Sequence, residues 1–416
     1  MRVLYLFFIL ISLFHLEGSG AQSMSWQEGL KEITTYNSEL LSAKNVLKSS
    51  EYLERAARSG YLPKVTGALG TNYGTSVLNP SAVQTNTLSV SATENLFSGF
   101  SDKAKVTQAQ YTREGLEANL KGTLAKVSFD YKSAFMNLLY AQKYITLTQD
   151  IIKRREANLR LVQLRFESGR ENIGSLHLSK AYLAQAKYDH LIATNALSVA
   201  QSNLAKVLGR NDFENLVVTG TVPVVIPGSS HLNFKELTII TPEYQKALSD
   251  EKVSLASIDS ANAGFYPSLN FTQSGARANR DSGAWSNTWS VSAELSIPLF
   301  SGGKDYYTSK SSHELYRSSV FAKKNIEDSG VVKLKDAYSK YVEAIAKLEV
   351  DQAFVEAGSS REKIAKEKYN NGLLTFDEWD IIENDLIGRQ KSLVQSERER
   401  VVAEAYWEQV QGKGVL

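Results

Sequence analysis

The sequence predicts a mixed fold, in which membrane-type β-hairpins, each a portion of a β-barrel, join long α-helical coiled coils, the whole internally duplicated. Three observations predict it. The seven prolines stand at 63, 80, 223, 227, 242, 267 and 298, which leaves 81–222 and 299–416 free of the residue that most strongly interrupts helix. Inside the first tract apolar residues recur every seven positions, at Leu124, Tyr131, Leu138, Ile145, Ile152, Leu159 and Phe166. A companion row follows three residues on, at Val127, Ala134, Ala141, Thr148, Arg155 and Val162. One row is bulky and the other mostly small, which is a coiled-coil seam that lets neighbouring helices approach closely. Finally, the landmarks of the first half return in the second at offsets of 203 or 204 residues.

At the amino terminus, Arg2 precedes an apolar run over 3–14, and small residues follow at Gly18, Ser19, Gly20 and Ala21. This reads as a secretory signal peptide over 1–21, cut near Ala21. A membrane anchor needs roughly 20 apolar residues, and His15 and Glu17 end the run sooner. No later stretch is long and apolar enough for a transmembrane helix, so a membrane would be entered as β-barrel or not at all. A net charge of +2 with 22% charged residues gives no sign of a nucleic-acid partner. There is no cysteine, which excludes disulfides, thiolate metal sites and a cysteine nucleophile.

From 26 to 60 the chain reads as one helix, stopped by Gly60-Tyr61-Leu62-Pro63. The period then changes to two. Val65, Leu69 and Tyr73 alternate with Thr66, Ala68, Gly70 and Asn72; after a turn at Asn79-Pro80, Leu88, Val90, Ala92 and Leu96 face away from Ser89, Ser91, Thr93 and Asn95. Two strands of about ten residues make a hairpin, and Glu94 breaks its pattern by sharing parity with Leu88 and Val90. A long helix over about 101–167 follows, on the order of 100 Å at 1.5 Å per residue. It breaks at Ser168-Gly169-Arg170-Glu171-Asn172-Ile173-Gly174. The return helix carries the rows Leu176, Leu183, His190, Leu197, Leu204 and Ser179, Ala186, Ala193, Ala200, Val207, and stops at Gly209.

The second half repeats this programme. Thr241-Pro242 opens a helix, Gly264-Phe265-Tyr266-Pro267 answers Gly60-Tyr61-Leu62-Pro63, and Leu299-Phe300-Ser301-Gly302 answers Leu96-Phe97-Ser98-Gly99. Trp289, Val291, Ala293, Leu295 and Ile297 alternate with Ser290, Ser292, Glu294 and Ser296. The heptad row returns as Leu334, Tyr341, Leu348, Val355, Glu362 and Tyr369, and its companion as Ala337, Ala344, Asp351, Gly358 and Ala365. Phe166-x-x-Gly169 becomes Tyr369-x-x-Gly372. The expected organisation is a first repeat over 22–212 with its hairpin at 64–98, an irregular linker over 213–237, and a second repeat over 238–416 with its hairpin at 268–300.

Four strands cannot close a barrel, and lipid does not tolerate an open sheet edge. Two copies would bring eight strands and little lumen; three would bring twelve and a channel. The amphipathic helices also lack enough partners within one chain. The expectation is a homotrimeric conduit.

The duplicated order, the Leu-Phe-Ser-Gly junctions, the x-Pro strand entries and the Tyr/Phe-x-x-Gly hairpins resemble the outer membrane efflux protein family, the TolC-like channel-tunnels. The resemblance covers about residues 24–412. It implies a homotrimer with a shared twelve-stranded barrel, four strands per chain, in the outer membrane of a Gram-negative-type cell. A tapering helical tunnel would extend into the periplasm, with the linker and the chain end forming a collar. The implied partners are outer-membrane lipid, a periplasmic adaptor (membrane fusion protein) and a proton-driven or ATP-driven inner-membrane transporter. The implied function is a passive exit duct for drugs, metals or other toxic compounds. The exit duct of a type I polypeptide secretion system is an alternative within the same fold, and a non-pore periplasmic coiled-coil scaffold an alternative outside it.

By the same resemblance, the helix tips at Gly169, Arg170, Glu171 and Gly174 and at Asn371, Gly372, Leu373 and Leu374 bound the periplasmic aperture and dock the adaptor. Glycine is in any case a turn requirement there. Asp377 and Asp380 are candidate lumen-facing acids, whereas Glu378 fits a capping box with Thr375. Some relatives carry a gate-holding arginine just after the second glycine; here that stretch is Leu373-Leu374, and Arg170 and Glu171 are the candidates to replace it. Phe97, Gly99, Phe300 and Gly302 mark the barrel–tunnel junctions, and Trp285 and Trp289 an interfacial aromatic belt. No cofactor is expected and no catalysis: the five histidines form no spaced ligand pair, and Gly302-Gly303-Lys304 lacks both the upstream glycine and the following Ser or Thr of a phosphate loop.

Overall fold

The computed structural model describes residues 22–76, 79–212, 216–224, 232–281 and 283–416. The expected leader over 1–21 lies outside them, as do Pro227, Gly228 and His231 of the linker. In order, the elements are β1 (Gln22–Ser25), α1 (Trp26–Tyr36), α2 (Ser38–Ala57), β2 (Lys64–Ser76), β3 (Asn79–Ser98), α3 (Ser101–Glu167) and α4 (Ile173–Leu208). Then come β4 (Leu216–Thr219), α5 (Phe234–Ile240), α6 (Pro242–Asn262), β5 (Ser268–Arg280), β6 (Ser286–Ser296), α7 (Lys304–Asn370) and α8 (Phe376–Val410). Strand, two helices, hairpin, long helix and return helix occur twice in one order. Both long helices have 67 residues.

Local chemistry repeats with them. The Asn37 side chain accepts the Leu40 N–H to open α2, and the Thr241 hydroxyl accepts the Tyr244 N–H to open α6. Ser98 Oγ accepts the Asp102 N–H at 3.2 Å, and Ser301 Oγ accepts the Asp305 N–H at 3.4 Å, at the starts of α3 and α7.

Three expectations change. The helix expected over 26–60 divides at Asn37, whose extended backbone (φ −63°, ψ 116°) and capping side chain start a new helix. The strands outrun their alternation: β3 has 20 residues, because cross-strand pairing continues beyond the apolar stretch. The linker expected to be irregular contains β4 and the start of α5. β4 pairs in parallel with β1, and the Gln142 side chain makes both backbone hydrogen bonds to Val218, N–H and C=O, at 2.9 Å each.

The chain folds as two compact units, and neither is a sequence half. One takes the described residues of Met1–Tyr36, Tyr131–Val224 and Lys347–Val401; the other takes those of Asn37–Asp130, Val225–Ala346 and Val402–Leu416. In the first, Trp26 stacks on Tyr131 at 4.6 Å, and the Tyr131 hydroxyl donates to the Trp26 carbonyl at 2.8 Å. Tyr131, Leu138 and Ile152 of the heptad row are buried there, with Ala134, Ala141, Thr148, Arg155 and Val162 of its companion. Along α4, Ser179, Ala186, Ala193 and Ala200 are buried as their spacing requires.

The second unit holds a four-stranded antiparallel sheet in the order β2-β3-β5-β6. β3 and β5, from different halves of the sequence, are neighbours. Among the described residues, β2 and β6 are its unpaired edges. Among the described residues, no helix is long and apolar enough to cross a membrane.

Candidate functional site

The sheet sorts its side chains by chemistry. Directly paired residues share a face, so the registers define cross-strand rows. Gly67, Val90, Gly275 and Trp289 form one, and Leu69, Leu88, Arg277 and Asn287 another. This face is apolar over much of its length and exposed in the chain; Trp289 is 82% exposed. Arg277 places its guanidinium 5.5 Å from the centre of the Trp285 ring. On the other face one row is Thr66, Ser91, Ser274 and Ser290, four hydroxyls across four strands. Thr66 and Ser91 are hydrogen-bonded at 2.8 Å, as are Ser274 and Ser290. Glu294 lies on this polar face, opposite Asn270. Glu94 lies on the apolar face opposite Phe271, just before a register shift between Asn95 and Phe97 near the helical end.

The two junctions at that end are not equivalent. Phe97 meets Phe100 edge to face at 5.1 Å, and Phe100 meets Tyr266 at 5.6 Å. Gly99 has φ +63°, and a Cβ there would stand 2.7 Å from the Ala263 carbonyl oxygen, so both backbone and space demand glycine. Phe300 is 88% exposed. Gly302 has φ +65° with no atom within 4 Å of a Cβ. Phe97 is thus packed within the chain, through Phe100 to Tyr266, whereas Phe300 is not.

The helix tips belong to the other unit and share one turn. Gly169 (φ +72°) donates to the Phe166 carbonyl, and Arg170 to that of Arg165; Gly372 (φ +73°) donates to the Tyr369 carbonyl, and Leu373 to that of Lys368. These paired bonds are the Schellman motif, which satisfies carbonyls left over at the helix end. Asn172 Oδ1 then accepts the Ser175 N–H at 2.9 Å to open α4, with Gly174 inside the first turn. Thr375 and Glu378 form the reciprocal capping box that opens α8, and those bonds hold the Glu378 carboxyl below the usual carboxylate range.

Behind the tips, Tyr369 stacks on Trp379 at 4.6 Å with Phe376 beside both, against Val162, Leu176 and Ala365. The Arg165 guanidinium covers the other side of the Tyr369 ring at 4.5 Å and donates to the Tyr369 carbonyl at 2.7 Å. The Tyr369 hydroxyl donates to Glu171 Oε2 at 2.9 Å, linking the two hairpins. Burial pushes the Tyr369 phenol up, and the Glu171 carboxylate adds to it. Leu374 packs partly on this cluster, whereas Leu373, Asn371 and Arg170 are exposed.

The two candidate acids part company. Asp377 is exposed. Asp380 is buried and faces Arg155 (Oδ1 to Nη1, 3.4 Å), and it accepts from Asn384 Nδ2 at 2.9 Å. Arg155 also donates to Asn384 Oδ1 and lies 4.6 Å from the Tyr182 ring centre. Desolvation pushes the Asp380 carboxyl up despite Arg155 and its hydrogen bonds, which pull it down. Within the chain Asp380 thus faces the helix packing, not an open surface. Sequence reasoning missed the Tyr369–Trp379–Arg165 stack and the Arg155 pair. The signal for Arg155 was its place in the small row, where a guanidinium is tolerated only with a buried partner. Among the described residues no group of three or more His, Cys, Asp or Glu is arranged to hold a metal.

The family model described as "Outer membrane efflux protein" matches residues 30–210 and 240–412. The chain belongs to the outer membrane efflux protein family. It is similar to the outer membrane protein TolC of Vibrio cholerae, 24% identical over 369 residues, 82% of this chain and 81% of that protein. Among solved structures, CusC superposes with a TM-score of 0.82 at 16% identity, covering 93% of this chain and 92% of its own. The outer membrane protein VceC from Vibrio cholerae gives 0.79 at 18% identity, with 94% and 96% covered. The fold is therefore that of the TolC-like channels, a helical tunnel with a sheet domain. An efflux protein of this family resides in the outer membrane with its helices in the periplasm, and the family is one of channels, not enzymes.

Proposed function

We propose that this chain is one third of a passive exit duct, a homotrimer that carries small toxic compounds out of the cell from a periplasmic adaptor and an inner-membrane pump. The carrying observation is the four-stranded sheet: an exposed apolar face, a hydroxyl-lined opposite face and two unpaired edges. Unpaired backbone groups cannot be left in lipid, so β2 of one copy pairs with β6 of the next, and three copies close twelve strands. The hydroxyl face then lines a wet lumen. The tips at Gly169–Gly174 and Asn371–Leu374 bound the aperture and dock the adaptor, and the exposed Asp377 lines it. The Tyr369–Glu171 bond and the Arg165 stack hold the tips in place of the arginine missing at Leu373-Leu374. The organisation into repeats over 22–212 and 238–416 about a linker, behind a leader over 1–21, belongs to the same reading.

The test is paired cysteine substitution, Thr66→Cys with Ser290→Cys or Ser292→Cys scanned for register, followed by single-channel recording. Oxidation should give covalent trimers that conduct, with a reversal potential for cations that Asp377→Asn lowers. Monomeric protein without conductance after oxidation would favour the scaffold.

A further inference from the structure

Glu383, on α8, is 1% exposed, and neither of its carboxylate oxygens has a hydrogen-bond partner. The Arg154 guanidinium faces it with Nε 3.5 Å from Oε1, without a hydrogen bond, and Nη2 of that arginine donates instead to Gln390 at 3.3 Å. On α7, Gly358 lies against α8, where a Cβ would stand 3.4 Å from Leu386, and one turn nearer the hairpin this register sets the half-buried Glu362 opposite Glu383, whose charge acts on it. Two carboxylates cannot bond each other, because an ionised carboxylate only accepts. A single proton changes that: one group becomes an O–H donor and the other remains its acceptor.

The Trp379 indole N–H is buried without an acceptor and lines a small cavity that Glu383 shares with Arg155, Tyr182 and Asp380. Arg155 and Asp380 are committed to each other, so neither serves Glu383.

We propose that Glu362 and Glu383 form a proton-binding site, one proton held between the two carboxyl groups, that ties α7 to α8 about two turns from their hairpin. Burial and the negative Glu383 push the Glu362 carboxyl above its ordinary 4.5, against the pull of Lys366 and Arg154. The charged and titratable groups around the site are Arg154 and Arg155 on α3, Tyr182 on α4, Glu362 and Lys366 on α7, and Asp380 and Glu383 on α8. A carboxyl raised in the folded state binds more protons folded than unfolded. The tie is therefore complete below the unfolded value and is lost as pH rises through the raised one. In an exit duct it would make the periplasmic tip firmer on the acid side; that consequence rests on the function proposed above, whereas the proton site does not.

The experiment is infrared pH-difference spectroscopy on the full chain in lipid, with melting curves across about pH 5 to 8. The wild type should show a protonated-carboxyl band that disappears as pH rises. Glu383→Gln and Glu362→Gln should each lose one component of it, because the amide donates permanently to the remaining carboxylate, while the component from the raised Asp380 stays. The wild-type melting temperature should fall with rising pH, and that of Glu383→Gln should fall less. A band undiminished in both variants, or equal melting slopes, overturns the proposal. So does Mg²⁺ or Ca²⁺ raising the melting temperature of the wild type but not of Glu383→Gln, which would make the occupant a metal.

Discussion

Arg155 and Asp380 should respond very unequally to substitution. Their side chains are 8% and 10% exposed, and the ion-pair distance is 3.4 Å. Arg155→Met removes the cation but leaves a buried carboxylate beside Asn384, and breaking a buried pair from one side costs about 3–5 kcal/mol. Asp380→Asn is different. Desolvation already outweighs Arg155 at this carboxyl and pushes it up, so losing its charge removes a penalty along with an attraction. The amide introduced by Asp380→Asn still offers an acceptor, and Arg155 keeps Asn384 and the Tyr182 ring. The expected cost is about 1 kcal/mol, one ordinary hydrogen bond. The double variant should recover much of the Arg155→Met loss. Hydrogen exchange of the amides at the start of α8 reads this directly: at about 1.36 kcal/mol per decade, Arg155→Met should cut protection by about 10²–10⁴-fold, and Asp380→Asn by about tenfold at most. Equal losses in the two variants would refute the view that burial dominates at Asp380. Unchanged protection in Arg155→Met would refute the pair itself.

The tip glycines and Tyr369 offer simpler tests. Gly169→Ala or Gly372→Ala meets no atom within 4 Å, so its cost is the left-handed backbone alone, about 1–2 kcal/mol, read as faster exchange at the hairpins; a loss of more than this would mean a contact made by the assembled duct. Tyr369→Phe keeps the stack on Trp379 and loses only the donation to Glu171, which should cost about 1.5 kcal/mol and lengthen channel open time; unaltered gating would return that bond to a purely structural role.

The polar interruptions of the seams show where sequence reading stops. Thr148, Arg155, His190, Asp351 and Glu362 each occupy a row that is otherwise apolar or small. Four have a partner in the chain, Thr148 and His190 with each other at 2.9 Å, Arg155 with Asp380, and Asp351 with Lys347 at 2.7 Å, and Glu362 is set against Glu383. The rows were legible because a period of seven is a property of one helix. The partners were not, because they depend on which helices lie side by side and at what height. Asp351 with Lys347 is the exception that fits, being four residues apart on one helix.

Taken alone, the chain's order of residues determined the long helices, the doubling, and the two-faced strands. Each follows from local rules of proline, glycine and periodicity that need no neighbour. Tertiary structure decided that β3 and β5 from opposite halves adjoin, that Asp380 turns inward while Asp377 stays exposed, and that Phe97 is packed while Phe300 is bare. Those choices are set by burial and pairing between segments distant in sequence, where desolvation outweighs any preference a residue carries by itself.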